Sequence, residues 1–151
     1  MKVTDIMTAS VISVQPETTL VEAARLMTEH KFNGLPVTDT NGVLLGIITE
    51  YGLISNQSGI HLPTLQTVLS KLPIFSKDKS EFAQQVEAVT RLTARDVMNA
   101  DPLTLPNTAS YEETVRAFQD HHGVNPIPVI DSTRKLVGVV SRYDILKPLT
   151  H

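Results

Sequence analysis

The sequence predicts an α+β fold: two β-α-β-β-α units packed by pseudo-twofold symmetry, with a helical insert between them. Three observations predict it. The chain repeats itself, capping patterns recur at matching positions, and each copy ends in two apolar runs split by a polar turn.

The repeat is read from register. At an offset of 91, Asp5 aligns with Asp96, Met7 with Met98, Ala9 with Ala100, Glu22 with Glu113, Arg25 with Arg116 and His30 with His121. Gly123 is a single inserted residue. Beyond it the offset is 92, and Asn33 aligns with Asn125, Pro36 with Pro128, Asp39 with Asp131, Gly46 with Gly138 and Tyr51 with Tyr143. The repeats span residues 3–54 and 94–147.

The elements follow in the same order in both copies. SVISV and PLTL are short extended segments, each followed by a turn with proline. Thr19-x-x-Glu22 and Ser110-x-x-Glu113 then match the capping box, which satisfies orphan amides at a helix start. Behind them Leu20, Ala23, Ala24 and Met27, and likewise Tyr111, Thr114, Val115 and Phe118, form one apolar helical stripe. LPVTDTNGVLLGIIT and IPVIDSTRKLVGVVS read as two strands around a polar turn, with the continuous apolar runs of strands covered on both faces. A short helix follows, starting at Thr49 or Ser141. Residues 55–93 do not repeat. Gly59 and Pro63 mark a loop, and 63–72 and 79–92 have helical periodicity, with Ser80 as a cap. At this length the insert is expected to have a role of its own.

Bulk properties narrow the function. The 151 residues are 41% hydrophobic, enough for a real core, and the net charge of −3 offers no basic excess for phosphate contacts, so a nucleic-acid partner is not expected. The absence of cysteine excludes disulfides, thiolate catalysis and cysteine zinc sites. No apolar run approaches the roughly 20 residues of a membrane span. The N-terminus MKVTDIMTAS lacks a signal-peptide core, and a cytoplasmic protein is expected.

The ordered series of methionine, capped helix, x-Pro-Val and Gly-hydrophobic-hydrophobic-Ser/Thr, written twice, resembles a tandem pair of cystathionine β-synthase type (CBS) domains, a Bateman module. The likeness covers about two-thirds of the chain, omitting the insert and the ends. It implies a regulatory, energy-sensing module that binds an adenosine ligand (AMP, ADP, ATP or S-adenosylmethionine) in clefts between the repeats. It also implies frequent homodimers and no catalysis. No effector domain is visible outside the repeats, so the regulated partner is expected to be another protein.

Carried onto this sequence, the resemblance assigns a main cleft to Ser141, Asp144, Arg142 and Tyr143 from one repeat, with Thr8, Ile12, Phe32, Asn33, Gly34 and Pro36 from the other. In similar modules the hydroxyl and the acid at the helix start hold phosphate and ribose. The physical sense is that free amides at a helix start favour an anion, and a carboxylate one turn on accepts both bonds of a cis-diol. Arg142, Lys31 and His30 are candidates to neutralise phosphate. Ser-x-x-Asp is equally a helix cap, and both readings stand on sequence alone. The mirror cleft would use Thr49 with Val97, Leu103, Val124, Asn125, Ile127 and Pro128. It has Gly52 where the main cleft has Asp144, and Pro126 where the other copy has Gly34. Weaker binding is expected there.

Other features carry less. His30, His61, His121 and His122 lack zinc spacing with acidic support, so no metal is expected. No nucleophile and base pair is visible, so the chain does not read as an enzyme. His61 and Leu62 are candidates to pack over a cleft, and Met7 and Met98 belong to the core or a dimer face. The competing class is a structural or interaction module: a dimer scaffold whose clefts are filled from within, with 55–93 offered to a partner.

Overall fold

The structure, a computed structural model, describes residues 1–54, 87 and 90–150. The helical insert expected at 55–93, with His61 and Leu62, lies almost wholly outside the described residues. In chain order the elements are α1 (Val3–Ile6), α2 (Leu20–His30), β1 (Gly34–Thr38), β2 (Leu44–Thr49), α3 (Glu50–Ile54), α4 (Ala94–Val97), β3 (Leu105–Pro106), α5 (Tyr111–Asp120), β4 (Ile127–Ile130), β5 (Leu136–Val140) and a 3₁₀ helix (Arg142–Leu149). This is the expected α+β class.

The two long helices start at the expected caps. Thr19 Oγ1 accepts from the Glu22 amide at 3.1 Å, and Ser110 Oγ accepts from the Glu113 amide at 3.1 Å. The box closes at α5, where the Glu113 carboxylate accepts from the Ser110 amide at 2.7 Å. α2 buries Leu20, Ala23 and Met27. Ala24, placed on the stripe by periodicity, is exposed, and Leu26 packs on the core instead. α5 buries Thr114 and Phe118, with Tyr111 and Val115 half-buried.

Each copy then forms an antiparallel hairpin. β1 pairs with β2 (Leu35↔Ile48, Val37↔Gly46), and β4 with β5 (Ile127↔Val140, Val129↔Gly138). The leading extended segments contribute less than expected. β3 pairs in parallel with β4 over two residues, and its counterpart is a single Val14↔Val37 bridge.

The one-turn helices α1 and α4 were not among the expected elements. Their signal is nevertheless repeated in the sequence. Asp5 accepts from the Lys2 amide at 2.7 Å, and its equivalent Asp96 accepts from the Thr93 amide at 2.9 Å. Both helices cross over. Val3 and Ile6 of α1 pack with Leu105, Ala109, Phe118, Ile127, Val129 and Val140. Ala94 and Val97 of α4 pack with Val14, Leu20, Ala23, Met27, Leu35, Val37 and Ile48. Each repeat's opening turn therefore completes the core built on the other repeat's hairpin.

Backbone bonds lock the exchange. Thr8 and Val139 bridge through two bonds of 2.8 and 3.0 Å, and Ile47 and Asn99 through bonds of 3.1 and 2.9 Å. The crossings pass directly over Gly138 and Gly46. A Cβ on Gly138 would stand 2.8 Å from the Thr8 carbonyl oxygen and 2.6 Å from Met7 Sδ. One on Gly46 would stand 2.6 Å from the Asn99 carbonyl oxygen and 2.8 Å from Met98 Sδ. Met7 and Met98 are half-buried against the two cores, which meets one of the two expectations for them.

Two outcomes follow from this packing. Ile6→Ala removes a side chain buried to 2% exposure, and should cost about 2–5 kcal/mol in urea denaturation although residue 6 lies far from the second repeat in sequence. The Ser110 amide and hydroxyl hold the Glu113 carboxyl below its ordinary value. Its contribution is therefore present above the ordinary glutamate range and lost as pH falls through the lowered value. Thermal melts from about pH 7 to about pH 3 should show a shallower acid limb in Glu113→Gln than in the wild type.

Candidate ligand-binding site

β5 ends at Val140, and Ser141 caps the 3₁₀ helix. Its N–H donates to Asp144 Oδ2 at 2.7 Å and its hydroxyl to the same oxygen at 3.1 Å. Lys147 Nζ stands 2.7 Å from Asp144 Oδ1 and donates to the Ile6 carbonyl at 2.6 Å. Asp144 is 7% exposed, and both its carboxylate oxygens are engaged. Tyr111 Oη donates to the Ile145 carbonyl at 2.8 Å and ties this helix to α5.

Asp144 lies at the end of a cavity of about 310 Å³ between the two repeats. Nine of the ten residues expected there line it: Ser141, Tyr143, Asp144, Thr8, Ile12, Phe32, Asn33, Gly34 and Pro36. The tenth, Arg142, does not. Its side chain turns to a separate groove beside Phe118 and His122, and its guanidinium donates to the His122 carbonyl. Its N–H donates to Asn125 Oδ1 at 3.1 Å. Of the free amides expected at this helix start, those of Ser141 and Arg142 are engaged and that of Tyr143 has no partner among the described residues.

Lys31, Ser10, Val11, Asn125, Pro126 and Val139 complete the lining. Lys31 ends α2 in the left-handed conformation, φ 55°. Val139 had no sequence signal, because only the crossing of Thr8 brings it in. Pro126 had one: it is the repeat equivalent of Gly34. The two loops meet, so closely that a Cβ on Gly34 would lie 2.7 Å from the Pro126 ring. Pro126 thus walls both cavities. Val11, Ile12, Phe32, Pro36 and Val139 give the cleft apolar walls, and the Phe32 ring is backed by the stacked His30 ring at 5.1 Å. His30 itself is spent on the end of α2, its Nδ1 lying 3.0 Å from the Leu26 carbonyl.

The mirror cavity is about 90 Å³. Thr49, Val97, Leu103, Val124 and Pro128 line it as expected. Two expected members do not. Asn125 faces the main cleft, and Ile127 is fully buried in the second core. Gly52 stands at the position of Asp144, and its amide donates to Thr49 Oγ1 at 2.9 Å. Tyr51 also lines this cavity. Its ring lies against the inserted Gly123, where a Cβ would come within 2.8 Å of it. Its equivalent Tyr143 is 80% exposed, against 46% for Tyr51. Among the described residues no cluster of three or more His, Cys, Asp or Glu side chains is placed to hold a metal ion, and no helix is long and apolar enough to cross a membrane.

The family model for the CBS domain matches residues 3–59 and 94–151, one match on each repeat. The chain belongs to the CBS-domain family. Among curated relatives, the CBS domain-containing protein CBSX2 of Arabidopsis thaliana, a chloroplastic protein, is 26% identical over 137 residues, 89% of this chain and 56% of its own length. CBSX1 is similar over 57% of its length, so this chain spans little more than half of these two relatives. An uncharacterised 17.7 kDa protein of Acidianus ambivalens is 30% identical over 148 residues, 98% of this chain and 73% of that one.

Solved CBS structures share the fold. CBSX2 in complex with AMP aligns with a TM-score of 0.71 at 23% identity, over 99% of this chain and 96% of that one. The CBS domain pair of MJ0100, in complex with 5′-methylthioadenosine and S-adenosylmethionine, gives 0.68 at 22%, over 99% of each. MJ1225 of Methanocaldococcus jannaschii gives 0.75 at 22%, over 99% of this CBS pair and 50% of that chain.

The contact between Tyr51 and Gly123 yields a prediction. Gly123→Ala must displace the Tyr51 ring, while the main cleft lies beyond its reach. The variant should alter the tyrosine near-ultraviolet circular dichroism and should lose less than about 1 kcal/mol of stability in urea, because the displaced ring is 46% exposed and can swing outward.

Proposed function

We propose that this CBS pair is a non-catalytic regulatory module, and that it binds an adenosine-containing ligand (AMP, ADP, ATP or S-adenosylmethionine) in the main cleft. The observation that carries the reading is the single cavity shared by Asp144, Ser141, Thr8, Phe32 and Pro36. Apolar walls suit a flat purine ring. The buried carboxylate at one end suits a ribose diol, since charge-assisted hydrogen bonds are about twice as strong as neutral ones. The complexes of CBSX2 with AMP and of MJ0100 with methylthioadenosine and S-adenosylmethionine support the same ligand class. The smaller cavity, with Gly52 in place of an acid and Tyr51 inside it, contributes no second site of comparable affinity in this reading. A homodimer, a separate regulated protein and a cytoplasmic setting complete the proposal.

A second reading has its own observation. Both oxygens of Asp144 are already engaged, by Ser141 and Lys147, as a purely structural cap would be. In that case the pair is an interaction module without nucleotide binding.

A thermal-shift screen separates them. With ligand at about 100 times Kd, stabilisation of roughly 2.7 kcal/mol is expected, a Tm rise of several degrees for a chain of this size. Asp144→Ala should weaken binding about a hundredfold, the equivalent of roughly 3 kcal/mol for two charge-assisted bonds. No shift of the wild type by any adenosine ligand would leave the interaction module as the account.

A further inference from the structure

The main cleft holds few charges. Among its lining residues only Asp144 and Lys31 are charged. The charge of Asp144 is met by Lys147 at 2.7 Å. Arg142, the other candidate for phosphate, faces the groove beside His122. At the start of the 3₁₀ helix the amides of Ser141 and Arg142 are committed, to Asp144 and Asn125, and that of Tyr143 is left as a neutral donor. Besides the neutral donors of Asn33 and Tyr143, what remains on the cavity is one cation, Lys31, with the hydroxyls of Thr8 and Ser10. The side chains of Lys31, Thr8 and Ser10 have no hydrogen-bond or ion-pair partner among the described residues.

That inventory suits one phosphate group. A phosphate monoester carries about −1.5 to −2 charges at neutral pH. A single lysine and two hydroxyl donors can meet most of that charge, and each further phosphate would enter the cleft without a counter-charge. We propose that the cleft takes an adenine nucleoside bearing one phosphate, that Lys31 with Thr8 and Ser10 forms its phosphate seat, and that the cleft selects against di- and triphosphates. The inference rests on the adenosine reading above and narrows it. It also gives the asymmetry of the module a chemical content. The position equivalent to Lys31 in the second repeat is His122, which does not line the smaller cavity, so the seat exists once per chain.

The test is isothermal titration calorimetry of AMP, ADP, ATP and 5′-methylthioadenosine, without divalent cations, into the full chain and into Lys31→Asn. Asparagine tolerates the left-handed backbone that Lys31 adopts, so the variant should remain folded. The wild type should bind AMP at least about tenfold more tightly than ATP. Lys31→Asn should weaken AMP by roughly ten- to a hundredfold, the loss of one charge-assisted contact, and leave methylthioadenosine within about twofold. ATP binding as tightly as AMP would overturn the selection. Equal weakening of AMP and methylthioadenosine would give Lys31 a structural role and remove the seat. If none of the four ligands binds the wild type, the narrower claim falls, and if S-adenosylmethionine fails as well, the adenosine reading falls with it.

Discussion

Gly46 and Gly138 mark the constraint on which the rest of this molecule depends. At each, the opening segment of the opposite repeat lies against the strand so closely that no Cβ fits. The crossings let Val3 and Ile6 close one core and Ala94 and Val97 the other. A two-stranded hairpin with one helix buries too little apolar surface to stand alone. By trading a one-turn helix, each repeat supplies what the other lacks. The clefts are a by-product of the trade, since the crossing segments run on as the walls: Thr8 to Ile12 on one side, Asn99 to Leu103 on the other.

The pseudo-twofold relation then sets up two equivalent cavities, and a few residues make them unlike. Asp144 has Gly52 as its counterpart, and the two helix starts are capped differently, by a carboxylate in one copy and by the Thr49 hydroxyl in the other. Gly34 has Pro126, and the ring of that proline presses into the space a side chain at Gly34 would need. Tyr51 and Tyr143 are the same residue at the same position. One is drawn in over the inserted Gly123 and the other stands in solvent. A single extra residue in a loop thus goes with cavities of about 90 and about 310 Å³.

Lys147 joins the site to the scaffold. It spans the carboxylate of Asp144 and the last carbonyl of α1, so the acid in the cleft and the exchanged segment share one ammonium group. An ammonium group supplies three donors and a carboxylate about four acceptor positions, which is how Asp144 serves the helix cap and the lysine together. Burial of such a charge without a partner would be costly. Here the partners are local in sequence, within three residues on either side.

Local chemistry is what the sequence determined by itself. The repeat register, the capping box at Ser110, the single cap at Thr19 (where the Glu22 carboxylate turns to Arg25 and leaves the expected box open), the paired strands and the residues around Asp144 were legible, because each depends on neighbours a few positions apart or on an identical pattern written twice. The residues that escaped did so for a common reason. Arg142 is a long, exposed side chain with a choice of acceptors, and its guanidinium goes to the His122 carbonyl, twenty residues away. Val139 reaches the cleft because a distant segment pairs with it, and Asn125 and Ile127 part company because one lines the main cleft and the other is buried in the second core. Which repeat each opening turn joins, and which way each side chain of a cleft points, were decided only by tertiary packing. Both follow from steric exclusion between segments far apart in sequence, Ile47 against Asn99 and Thr8 against Val139, and no local pattern encodes that.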